Sequence, residues 1–171
     1  MKGGKLERSL TKYSGKMETV KNNANLSLEE MVWKGVLIEE SLEDKKLLRL
    51  VKFGKKKRFR LEGERRIMTF CNIEVRDEIK EKYVKLAMRS IMPSFYTHLC
   101  KDGEMYVVFR GRYFKFKEGD RDLERAREYG ESQGILRDQM EFEYLINHPY
   151  GRSLFGSIMN RILSYIIKPF K

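Results

Sequence analysis

The chain has 171 residues, with 36 Lys and Arg against 25 Asp and Glu, a net charge of +11 at pH 7 and 41% apolar residues. Two cysteines are too few for the disulfide framework of a secreted domain this size, and neither a secretory leader nor an apolar run of about 18 residues is present. The expectation is a soluble, cytoplasmic protein with one core.

Residues 1–25 are polar, rich in Gly and Lys and without period, and read as a flexible basic arm. Ser27 and Glu30 spell a capping box that would start a helix at Leu28. Gly35 interrupts that helix, and "GVLIEE" equally reads as a buried strand. The expectation here is a helical turn over 28–32 followed by a strand over 33–40. Residues 24–44 carry one basic and six acidic side chains; residues 45–66 reverse the sign, with eleven basic and two acidic. Within that basic block "LLRLVKF" (47–53) and the alternating "RFRLE" (58–62) read as strands, and "RIMTFCNIEV" (66–75) as another. Lys55, Lys56, Lys57 and Arg58 would sit at a hairpin tip, with Lys52, Arg60, Arg65 and Arg66 along its strands.

The period changes over 76–92, where Ile79, Tyr83, Leu86, Ala87 and Ile91 fall on one helical stripe that Pro93 ends. "SFYTHL" (94–99), "MYVVF" (105–109) and "YFKFK" (113–117) read as a meander, with turns at Asp102-Gly103 and Gly111. "DRDLERAREYGESQGI" (120–135) reads as a helix that Asp120 caps and Gly134 ends. "MEFEYLI" (140–146) alternates as a strand. Residues 67–148 as a whole are close to neutral, with fourteen basic and fifteen acidic side chains. The order fits an α+β fold over 26–147, a mostly antiparallel sheet with helices packed on one face. An amphipathic helix in 148–171 would follow it.

"WKGVLIEESLED", "MYVVFRGRYFKF" and "AREYGESQGILRDQMEF" resemble, in that order, segments of a family of small uncharacterised prokaryotic α/β proteins. The resemblance covers about residues 32–144. It implies a small α/β domain and no established activity, so it carries no catalytic residue.

The charge block points to a phosphate backbone, since each neutralised phosphate releases counterions and gives sequence-independent affinity. A second basic turn, Arg110-Gly111-Arg112, runs into Lys115 and Lys117, and Tyr113 among those cations could stack a base. Edge strands also carry Lys simply to block edge-to-edge pairing. The expected partner is RNA or single-stranded DNA, bound without enzymatic activity, metal or cofactor. A second reading gives the work to 152–168. There Leu154, Phe155, Ile158, Met159, Ile162, Leu163 and Ile166 would form the apolar face of a cationic helix. That helix could pack on its own domain, on a second copy or on a membrane surface. A third reading makes His98, beside Tyr96, the general acid/base of a ribonuclease-like site. Cys71, His98 and Cys100 lack metal-site spacing, and no P-loop, GxGxxG or GxSxG is present.

Overall fold

A computed structural model of the chain describes residues 31–60 and 67–151. The elements are β1 (Val32–Ile38), β2 (Lys52–Arg60), β3 (Ile67–Arg76), α1 (Lys80–Ser90), β4 (Thr97–Lys101), β5 (Glu104–Phe109), β6 (Arg112–Lys117), α2 (Arg121–Ser132) and α3 (Phe142–Asn147). Short 3-10 turns occupy Glu39–Ser41, Lys45–Leu50, Asp77–Ile79 and Arg137–Gln139. The strands form one six-stranded antiparallel sheet in the order β2-β3-β1-β4-β5-β6, so β2 and β6 are its edges. The fold is α+β, as the element order implies.

Period-two patterning sorts the sheet into two apolar faces. On one, Trp33, Leu37, Cys71, Ile73, Val75, Leu99, Tyr106 and Val108 pack against Tyr83, Val84 and Ala87 of α1. On the other, Cys100, Met105, Val107, Phe109, Phe114 and Phe116 pack against Leu123 and Ala126 of α2 and Phe142 and Leu145 of α3. We call these the α1 face and the α2 face. The helices are therefore divided between both sides of the sheet and not gathered on one. The β4–β6 meander makes this necessary, because both sides of β5 are apolar and each needs a cover.

Of two expected strands, 47–53 keeps only Lys52 and Phe53 as strand and 140–146 keeps none. Residues 45–50 form a 3-10 turn, started where the Asp44 carboxylate accepts from the Lys46 N–H at 2.8 Å and held by fully buried Leu47. Residues 142–147 form a short helix: Phe142, Leu145 and Ile146 are all buried, a spacing that alternation cannot produce. At α2 the Asp120 carboxylate accepts from the Lys117 N–H at 2.8 Å and makes no cap bond to the helix itself. The basic arm, the 28–30 part of the helical turn, the 61–66 connection and residues 152–171 lie outside the described residues.

Candidate nucleic-acid interface

The basic block builds an edge strand and not a hairpin tip. Lys55, Lys56, Lys57 and Arg58 all lie within β2, which pairs with β3 from Lys52↔Glu74 to Arg60↔Ile67 and breaks register between Phe53 and Lys56. A bulge with Lys on an open edge is a device that discourages pairing with another chain. Residues directly opposite in an antiparallel pair share a face. Lys56 lies opposite Cys71 and Arg58 opposite Thr69, so both are on the α1 face. Lys52 and Lys57, opposite Glu74 and Phe70, are on the α2 face.

Carboxylates on neighbouring elements take up part of this charge. Lys52 pairs with Glu74 at 3.0 Å, and Lys56 pairs with Glu39 at 2.5 Å with its ammonium 4.1 Å above the Phe53 ring. The Lys56 hydrogen bond holds the Glu39 carboxyl below the usual carboxylate range. Arg58 and Lys55 are exposed and form no ion pair among the described residues. Arg60 ends β2, while Arg65 and Arg66 lie outside the described residues.

The second predicted group stands at the opposite edge. Five strand spacings separate β2 from β6, about 24 Å. Tyr113, Lys115 and Lys117 are on the α1 face of β6; Arg112 is on the other, its guanidinium 4.7 Å above the Phe114 ring. Tyr113 is 42% exposed and stacks on Tyr106, with ring centroids 5.9 Å apart. Tyr106 in turn meets Trp33 edge-on at 5.1 Å. Glu104 serves both Lys115 at 3.0 Å and Lys117 at 3.7 Å, and the Lys115 hydrogen bond lowers its pKa. Arg110 is structural: it bridges Glu43 at 2.6 Å and the Ile91 carbonyl at 3.1 Å, fixing the end of α1.

Between the edges lies a group absent from the sequence expectation. Lys82, Lys85 and Arg89 recur at i, i+3 and i+7 along the exposed side of α1, and Arg49 is exposed on the 3-10 turn that packs beside it. Among the described residues none of the four forms an ion pair. The neighbouring carboxylates are already used: Asp77 by Lys80 and Lys101, Glu81 by Lys80, Glu43 by Arg110. Across the sheet the balance is opposite. Residues 118–148, which carry α2 and α3, hold four basic and nine acidic side chains. The nearly neutral stretch 67–148 is thus two layers of opposite sign. Helical spacing of the α1 cations was visible in the sequence; which face α1 covers was not.

His98 and the cysteines occupy other positions. Cys71 is on the α1 face, where its thiol donates to Glu39 at 3.2 Å and burial pushes it up to about 12. His98 and Cys100 are on the α2 face, and Cys100 donates to the Leu145 carbonyl at 3.3 Å. His98 is 4% exposed, its Nε2 donates to the Pro149 carbonyl at 2.7 Å, and burial lowers its pKa to about 4. A neutral, enclosed imidazole bonded to a backbone carbonyl ties down chain; it has no open side toward solvent. Among the described residues no cluster of His, Cys, Asp and Glu could hold a metal ion, and no helix is long and apolar enough to cross a membrane. No protein family, curated protein or solved structure matches the chain.

Proposed function

We propose that the protein binds a nucleic acid, RNA or single-stranded DNA, on the α1 face of its sheet. The observation that carries this reading is the set of cations on that face for which the described residues offer no carboxylate partner: Arg58 on β2, Arg49 on the 3-10 turn, and Lys82, Lys85 and Arg89 on α1. Lys56, Lys115 and Lys117 flank them and can exchange their carboxylates for phosphates, because exposed ion pairs are worth only about 0–1 kcal/mol. Tyr113, already stacked on Tyr106, is pre-oriented to take a base on its open side. The phosphate contacts position the strand and carry no sequence information.

The full chain is titrated with a fluorescein-labelled single-stranded oligonucleotide at rising salt. Changing Lys55, Lys56, Lys57 and Arg58 together to Ser weakens binding at low salt and flattens the salt dependence by about one to two units, Lys57 being on the other face. Equal affinity and slope in the wild type and the quadruple variant would overturn the reading.

A further inference from the structure

We propose that residues 152–168 cover the β2–β3–β1 half of the α2 face. On that half Val36 and Ile38 of β1 and Met68 and Phe70 of β3 form an apolar strip: Val36 stands opposite His98, and Phe70 opposite Lys57. Among the described residues these four belong to neither core cluster, and Val36, Ile38 and Phe70 keep part of their surface exposed. The described helices of this face, α2 and α3, sit instead on β4–β6.

The chain is delivered to the strip. Tyr96 donates to the Gln139 carbonyl at 2.8 Å, Cys100 to that of Leu145 and His98 to that of Pro149, fastening the chain over β4. Tyr150 then donates to Glu74 at 3.4 Å, on the same face of β3. At Gly151, with φ +71°, the backbone turns beside the strip with twenty residues still to come. Those residues contain no carboxylate, and their apolar side chains recur at helical spacing from Leu154 to Ile166. As a helix the seventeen residues 152–168 would span about 26 Å. That lies between the lengths of β1 and β3, about 23 and 34 Å. Tethered at Gly151, the segment reaches the strip at a local concentration that a free partner would not match.

The test places a nitroxide on Ser164→Cys in the full chain, on the polar side of the stripe; Cys71 and Cys100 are buried. The expected result is that the Val36 and Ile38 methyl resonances lose most of their intensity while Val84, on the α1 face, keeps its own. A mixture of nitroxide-bearing protein with isotope-labelled protein lacking the nitroxide should show no loss. Loss in that mixture assigns the segment to a second copy and overturns the proposal. Loss that appears only with anionic vesicles, or none at Val36 and Ile38, overturns it too. As a second measurement, Ile158→Asp with Ile162→Asp should raise amide exchange over 67–76 and leave α1 unchanged; unaltered exchange over 67–76 counts against the proposal.

Discussion

At Gly35 the backbones of β1 and β4 approach so closely that a Cβ would stand 1.8 Å from the His98 carbonyl oxygen and 2.8 Å from its carbon. Neither atom is the end of a flexible side chain, so a methyl group there must push two central strands apart. Gly35→Ala should cost about 3 kcal/mol, the upper end of overpacking effects. Gly54 is a fair control, because a Cβ there meets only Asn72, at 3.4 Å, on the edge pair. Gly54→Ala should change stability by no more than about 0.5 kcal/mol. Urea midpoints of the two variants test the pair, and equal midpoints would show that the β1–β4 contact yields more easily than the geometry implies. In the sequence this glycine reads as an interruption. It is a site of close strand contact, and the partner backbone could not be seen from local residues.

The element formed by residues 139–149 is held over β4 by apolar packing and by side-chain bonds from Tyr96, His98 and Cys100 to its backbone carbonyls, and one of those donors titrates. His98 binds a proton at an ordinary value of 6.5 when exposed and only at about 4 in the fold, because burial disfavours the cation. Between those values the unfolded chain holds more protons than the folded one, so stability falls as pH falls from 6.5 toward 4, by on the order of 3 kcal/mol. Carboxylates held low, such as Glu39 under the Lys56 hydrogen bond and Glu104 under that of Lys115, act lower down. Their contribution is present above their ordinary value of 4.5 and is lost as pH falls through the folded one. His98→Gln, which keeps an N–H donor, should flatten the stability profile between pH 6.5 and 4.5 and leave the lower limb. An unchanged profile would mean that His98 charges without loosening this element. The sequence made the meander and α1 legible, since long periodic segments with Gly turns leave one solution. It misread 47–50 and 140–146, where apolar residues in a short window satisfy both periods and only the surface they meet decides.

At the scale of the molecule the fold turns the nearly neutral stretch 67–148 into two layers of opposite sign. Nothing in the order of residues distinguishes Lys82, Lys85 and Arg89 from the arginines of α2, because each helix has one polar side and an apolar stripe. What separates them is the face each helix covers and the carboxylates around it. On α2, Arg125 pairs with Asp122 at 2.8 Å and Arg127 with Glu124 at 2.9 Å, whereas the three α1 cations form no ion pair among the described residues. The β2 block was legible as charge, yet part of it faces the other way or is matched by Glu74 and Glu39. If the interface spans the α1 face, its affinity depends on the α1 cations as much as on β2. Changing Lys82, Lys85 and Arg89 to Ser should then lower the salt dependence for a single-stranded oligonucleotide by about two units. Arg121→Ser with Arg125→Ser, on the acidic layer, should leave it unchanged. If only the β2 edge touches the ligand, the α1 variant will match the wild type while the β2 variant does not. Equal losses from the α1 and α2 variants would mean that net charge alone, and not its placement on one face, governs binding.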